Sequence, residues 1–224
     1  MDKLVPAFQE SLFDPSLGDA CLDMAELGID SLLDDGVWKS VPMVGLLVGL
    51  GKTAQNVHDR NLLKQTVRFI NAFHAKTLSE EKKEAYRARL RGDKKFAEEE
   101  LGRILILLNS YVDDKRSELL GRFYGAHVNE ELEWEKFCEL SDVVSRVFMA
   151  DIELLFDVYG GRVENTDQCE EHQADRLLAL GLIYMPMKSL RLGGADDSGA
   201  DDSGADRYLR VSKLGRLFCE LGAE

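Results

Sequence analysis

The sequence predicts a mainly α-helical protein: a multi-helix bundle over residues 1–158, then a small α+β element over residues 159–224. Three observations predict it. Apolar residues recur at spacings of three and four through the first two thirds, as one buried helix face requires. The connections between these runs are short, and Asp14-Pro15, Gly92-Asp93 and Gly160-Gly161 punctuate them. Past Gly161 the order changes to helix, extended stretch, Gly/Ala/Asp/Ser repeat, extended stretch, helix.

The composition fits a folded chain. With 224 residues, 45% of them hydrophobic and 31% charged, there is enough apolar material for a core, and general disorder is excluded. Four Pro and four Cys exclude a collagen-like chain and a disulfide scaffold. A net charge of -13 argues against a nonspecific nucleic-acid binder, because phosphate contact is driven by Lys and Arg. Cys21, Cys138 and Cys219 fall within apolar periodic segments and read as small buried hydrophobes, and Cys169 is the fourth cysteine. No C-x-x-C pair exists, which excludes a zinc ribbon and a thioredoxin-like site. The first residues lack the basic and apolar regions of a secretory signal, so a reduced cytoplasmic location is the expectation.

In order along the chain, Asp14-Pro15 reads as a helix start, with Asp as cap and Pro at the first helical position. That helix runs through Leu17, Cys21, Met24 and Leu27 to Gly28, and a short helix is expected over Asp30 to Leu33. Residues Val41 to Gly51 are the most apolar stretch, and at eleven residues they are too short to cross a bilayer. A helix then carries Leu63, Val67, Ile70 and His74 on one face, widened by Leu62, Phe69 and Phe73. Thr77-Leu78-Ser79-Glu80 fits a capping box for a charged helix ending near Gly92. Asp93 is placed to cap the next helix, whose stripe is Leu101, Ile104, Leu105 and Leu108. Leu119, Leu120, Phe123 and Tyr124 mark another. Trp134, Phe137, Leu140, Val144, Val147 and Phe148 continue the spacing toward Leu154 and Leu155, where Gly160-Gly161 stops it. A further helix is expected from Asp167 to Leu180, ending at Gly181; extended stretches follow at Leu182–Met185 and Tyr208–Val211, and a closing helix at Ser212–Leu221.

Between the extended stretches, residues 193–206 repeat Gly-Ala-Asp-Asp-Ser with a period of five. The paired Asp do not match the alternating ligands of a calcium loop, so a solvated, disordered wing tip is the expectation. Its five Asp account for only part of the net -13, and the rest of the chain is acidic without them.

The words Leu177-Leu178-Ala179-Leu180-Gly181-Leu182-Ile183 and Tyr208-Leu209-Arg210-Val211-Ser212-Lys213-Leu214-Gly215-Arg216-Leu217 resemble the end of a winged-helix domain. In that family a helix stops at a Gly in a left-handed turn, a β-wing follows, and the chain returns into a closing helix. The resemblance covers about 50 residues. It implies a mainly α architecture in which the multi-helix bundle is followed by a small winged-helix-like α+β element. Members often bind DNA through the helix before the wing. Here that helix carries Asp167, Glu170, Glu171 and Asp175 against Arg176, so direct nucleic-acid contact is not expected. Glu170, Glu171, Asp175 and Tyr208 are instead the candidates for docking a protein. The alternative is a hairpin and helix that serve stability alone.

The glycine-rich segment supports several readings. Gly51-Lys52-Thr53 approaches a phosphate-binding loop, but the first Gly of that motif would fall at Leu46, and Gly45 is one residue too early. A nucleotide site is therefore not expected. Gly45-x-x-x-Gly49 permits close helix approach, and Trp38 stands where an interfacial anchor would, so membrane or partner contact through Trp38, Val44, Gly45, Leu47 and Gly49 is one reading. A buried core segment is the other. Residues 34–73 also resemble a recurrent stretch of uncharacterised bacterial helical proteins, some in mobile-element or phage-defence neighbourhoods; that resemblance implies a setting and no activity.

His58, His74, His127 and His172 are isolated from one another in sequence. Cys169-x-x-His172 is half a metal site without a second half, and Cys138 lacks the local turn of a nucleophile. Asp113-Asp114 and Glu130-Glu131 are expected at helix starts, where carboxylates favour the dipole. No catalytic residue, cofactor or metal is expected. The functional expectation is a non-enzymatic interaction or regulatory module whose acidic surface docks a basic protein partner, in a bacterial or phage-defence setting. A membrane-active effector using residues 41–51, peripheral to the membrane, and an acidic nucleic-acid mimic are the alternatives.

Overall fold

The computed structural model describes residues 3–14, 41–50, 57–76, 78–186 and 208–223. Among the described residues the chain is mainly helical, with ten α-helices and one two-stranded sheet, and it divides into two units, Met1–Ser145 and Arg146–Glu224. This division falls one helix before the boundary at 158, because the helix Met149–Tyr159 packs with the C-terminal elements. The expected helices over residues 15–33, Trp38, the Gly51-Lys52-Thr53 motif and the acidic repeat lie outside the described residues.

The N-terminal unit contains α1 (Leu4–Leu12), α2 (Pro42–Leu50), α3 (Val57–Ala75), α4 (Glu80–Gly92), α5 (Lys94–Ser110), α6 (Asp114–Val128) and α7 (Trp134–Arg146). Helix α1 has no counterpart in the sequence reading, although Val5, Phe8 and Leu12 keep helical spacing and are buried. Helix α2 begins with Pro42, which needs no N–H partner in the first turn. The Ser11 hydroxyl accepts the Met43 N–H at 2.9 Å and donates to the Ala7 carbonyl at 2.7 Å, so α1 caps α2 across a gap of 32 residues. Val41, Met43, Val44 and Leu47 are buried against α1 and α3.

The α3–α6 pair forms the centre of this unit. Phe69 and Phe73 lie 5.9 Å and 6.0 Å from the Tyr124 ring, while Phe8 and Phe13 of the first segment close over them at 5.6 Å and 5.9 Å. Gly121 permits this crossing: a Cβ there would sit 2.4 Å from the Phe69 carbonyl oxygen. Three polar side chains of α3 and α6, Asn61, Gln65 and Ser117, are paired here. The Ser117 hydroxyl donates to Gln65 Oε1 at 2.5 Å, and Gln65 Nε2 donates to the Val112 carbonyl at 3.0 Å. Asn61 Nδ2 donates to the Tyr111 carbonyl at 2.7 Å, so α3 holds the α5–α6 connection.

Several local expectations are met here. Gly92 ends α4, and Asp93 caps α5 by accepting the Phe96 N–H at 3.0 Å. Leu101, Ile104, Leu105 and Leu108 are buried. Others are corrected. The N-cap of α4 is Ser79, whose own N–H donates to Asn129 Oδ1 at 3.0 Å; its side chain makes no capping bond, and Thr77 lies outside the described residues. Glu130 and Glu131 do not open a helix, because α7 begins at Trp134. They sit past the C-terminus of α6, where carboxylates oppose the dipole, and Lys82 at 3.4 Å and Lys76 at 2.7 Å offset them. The helix expected from Trp134 toward Leu155 breaks at Val147-Phe148, and Phe148 is 58% exposed rather than part of the stripe.

The C-terminal unit contains α8 (Met149–Tyr159), a single 3-10 turn (Thr166–Gln168), α9 (Glu171–Ala179), β1 (Ile183–Tyr184), β2 (Arg210–Val211) and α10 (Lys213–Gly222). The helix expected over 167–180 is divided at Cys169-Glu170, where both residues are extended. Gln168 Oε1 accepts the Glu164 N–H at 2.7 Å, which closes the N-terminal end of the 3-10 turn. Gly161 and Gly181 adopt φ of +71° and +70°, the left-handed stops that glycine favours. The strands pair antiparallel, with Ile183 opposite Val211 and Tyr184 opposite Arg210, and are shorter than the extended stretches expected. An isolated Asn165–Tyr208 bridge joins the residues before β2 to those before the 3-10 turn. The Ser212 hydroxyl accepts the Gly215 N–H at 2.9 Å and donates to the Gly181 carbonyl at 2.6 Å, locking α10 to the α9–β1 turn.

Candidate functional site

The C-terminal unit carries an open groove of about 480 Å³ between α8, the 3-10 turn and α9. Helix α8 contributes Ala150, Glu153, Leu154 and Asp157, which share one face through spacings of three and four. The turn contributes Asp167, Gln168, Cys169 and Glu170, and α9 contributes Gln173. Four carboxylates therefore line one concavity. Glu153, Asp167 and Glu170 are exposed, and half-buried Asp157 is paired with Arg162 at 2.6 Å.

The groove wall is anchored from behind. Gln173 Nε2 donates to the Ala150 carbonyl at 3.4 Å and to Asp151 Oδ1 at 3.3 Å. Asp151 is fully buried, and Arg176 reaches it with two hydrogen bonds of 2.6 Å. The base of α9 is thus turned inward rather than offered to a phosphate. Half-buried Cys169 sits on the rim, where burial first and the Glu170 carboxylate second push its thiol up from its ordinary value. The arrangement holds an uncharged thiol among carboxylates, which is unsuited to nucleophilic chemistry and suited to receiving positive charge.

The structure treats the residues singled out by sequence differently. Glu170 lines the groove, whereas Glu171 and Asp175 are exposed on α9 and do not line it. Tyr208 is 39% exposed, and Arg210 and Tyr184 are exposed beside it on the strands. Val44 and Leu47 belong to the core of the N-terminal unit. Gly45 is exposed, with nothing within 4 Å of where its Cβ would be, so it mediates no close helix approach; Gly121 and Gly125 on α6 do that against α3. Gly49 lies in α2. Glu153 and Asp157 were missed, although their i, i+4 spacing beside Ala150 and Leu154 was a readable signal of a mixed acidic and apolar face.

A second polar cluster lies inside the N-terminal unit. Glu100 of α5 is 4% exposed and accepts a hydrogen bond from Tyr86 of α4. Tyr124 of α6 donates to the Tyr86 oxygen at 3.4 Å. His127 of α6 places Nδ1 2.8 Å from the Leu132 carbonyl and Nε2 3.8 Å from Glu100 Oε1. Trp134 and Phe137 stack beside the imidazole, at 5.3 Å and 6.1 Å. Burial, then neighbouring Tyr124 and Glu100, push the Tyr86 phenol far above its ordinary range; burial and Glu100 do the same to Tyr124.

Among the described residues no group of three or more His, Cys, Asp or Glu is arranged to hold a metal ion, and no helix is long and apolar enough to cross a membrane. No protein-family model matches the chain, and neither a curated protein nor a solved structure matches it.

Proposed function

We propose that this chain is a non-enzymatic protein-interaction module: a helical body carrying a winged-helix-like element whose acidic groove receives a basic segment of a protein partner. The observation that carries this reading is the convergence of Glu153, Asp157, Asp167 and Glu170 on one open groove. Clustered carboxylates attract a Lys- or Arg-rich segment and speed its encounter, while their exposure keeps desolvation small. The winged-helix-like assignment is supported by the order α9, β1, β2, α10, by Gly181 in a left-handed turn, and by the exposed Tyr184 on β1 and Tyr208 just before β2. Tyr is among the residues enriched at protein interfaces. A bacterial or phage-defence setting and a cytoplasmic location remain part of the proposal.

Insertion of residues 41–51 into a membrane would require Val41, Met43, Val44 and Leu47 to leave the core, so the interaction reading is preferred.

The test is fluorescence anisotropy of a labelled Lys/Arg-rich peptide, at low and high ionic strength, against the full chain and a Glu153→Gln, Asp157→Asn, Glu170→Gln variant. The expected result is salt-sensitive binding that the variant weakens by about tenfold or more, as loss of several charge contacts implies. Equal binding by the variant would remove the groove from the reading.

A further inference from the structure

The Glu100–His127 pair carries an inference that does not depend on the groove. The Leu132 carbonyl can only accept, so His127 Nδ1, 2.8 Å away, carries a hydrogen. Nε2 is buried, makes no hydrogen bond, and faces Glu100 Oε1 at 3.8 Å, within ion-pair reach. A neutral ring with its hydrogen on Nδ1 would turn a lone pair toward a buried carboxylate. Two acceptors would then face each other with no donor between them, an arrangement proteins avoid because each group loses its water without replacement. A second ring proton removes the conflict and converts it into attraction.

We propose that His127 is an imidazolium paired with Glu100, a proton-operated latch that ties the α6–α7 connection to α5. The groups around it are consistent. From α4, Tyr86 donates to Glu100, whereas Arg89 opposes a charge on His127. From α6 itself, Tyr124 contributes only its hydroxyl, which donates to Tyr86. From α7, Trp134 and Phe137 bring no charge, and α3 presents Phe69 and Phe73 to Tyr124. Burial pulls the His127 pKa down, but Glu100 and the Leu132 carbonyl outweigh it, and the net direction is upward. The latched connection includes Glu130, a non-glycine residue held at φ +58°, so the proton secures a turn that the backbone alone disfavours. Loss of the proton at higher pH removes the Glu100 attraction from His127 and leaves the Leu132 contact and the backbone hydrogen bonds to hold the turn.

The test is a 15N-edited NMR titration of the histidine rings in the full chain and in Glu100→Gln. At pH 7 the expected His127 spectrum is that of the doubly protonated ring, titrating above the ordinary histidine value. In Glu100→Gln its proton affinity is expected to fall by about tenfold or more, one pH unit, with the exposed His58 and His172 unmoved as internal controls. A wild-type His127 that is neutral at pH 7 would overturn the proposal without any variant. An unchanged titration in a folded Glu100→Gln protein would overturn it as well.

Discussion

Arg176 holds the buried Asp151 with two hydrogen bonds of 2.6 Å and lays its guanidinium 4.5 Å over the Phe148 ring. The pair ties α9 to the start of α8 and so sets the floor beneath the acidic groove. A planar fork is needed both for the paired contact and for the stacking, and Lys supplies neither. Arg176→Met would leave the Asp151 charge buried and unpaired. That single variant is expected to lower the thermal midpoint of the C-terminal unit more than the double variant Asp151→Leu, Arg176→Met, in which no charge is stranded. Differential scanning calorimetry of the three full-length chains checks the order.

Two glycines should respond oppositely to the same substitution. Gly121→Ala would place a methyl 2.4 Å from the Phe69 carbonyl oxygen and force α3 and α6 apart, at a cost of about 1–3 kcal/mol. Gly45→Ala meets nothing within 4 Å and restores helix propensity in α2, with an expected change between zero and about 1 kcal/mol of stabilisation. Trp134 begins α7 of the N-terminal unit, so urea unfolding followed by Trp fluorescence checks both variants.

His74 makes the N-terminal unit acid-sensitive. Burial, reinforced by Lys83, lowers its pKa from 6.5 to about 4. The folded state therefore binds this proton less readily than the unfolded chain. The associated stability is complete above pH 6.5 and is lost as pH falls toward 4, amounting to about 3 kcal/mol at the acid end. His127 works the other way: its raised value contributes stability below the ordinary histidine value and loses it as pH rises through the folded one. His74→Gln should flatten the loss between pH 6.5 and 4, and His127→Gln should remove the loss on the alkaline side. Urea midpoints across pH 4–9 separate the two.

The apolar segment should behave as core. In flotation with neutral and anionic liposomes the full chain is expected to stay at the bottom of the gradient. Leu47→Asp is expected to destabilise the fold by about 2–4 kcal/mol, because it buries a carboxylate without a partner. Co-flotation of the wild-type chain that Leu47→Asp abolishes, with the variant still folded, would restore the membrane reading.

Cys169 reports the field in the groove. Its raised pKa predicts slow alkylation by iodoacetamide at neutral pH, and Glu170→Gln should accelerate it modestly by removing the second of its two causes. Cys219 is buried with its pKa pushed up to about 12, so it should react only on unfolding. Mass spectrometry of the alkylated cysteines distinguishes the sites.

The sequence by itself determined the helical class, most helix faces, the Asp93 cap and the glycine stop at Gly181. Each of these depends on spacing or on one residue's backbone chemistry, which a neighbour in space does not alter. It also determined the excess of negative charge. Only the tertiary structure decided where helices break. The apolar period runs unbroken through Val147-Phe148, yet α7 and α8 separate there, and Phe148 is left exposed under the Arg176 guanidinium. Tertiary packing also decided which glycine is closely approached, since Gly121 faces the Phe69 backbone whereas Gly45 has nothing within 4 Å of where its Cβ would be. The acidic groove and the Glu100–His127 pair were illegible for the same reason. Glu153 and Glu170 are 17 positions apart, and Tyr86, Glu100 and His127 come from three helices. Charge and hydrogen bonding act through space over a few ångströms, so the chain order that specifies each helix carries no record of which side chains the fold brings face to face.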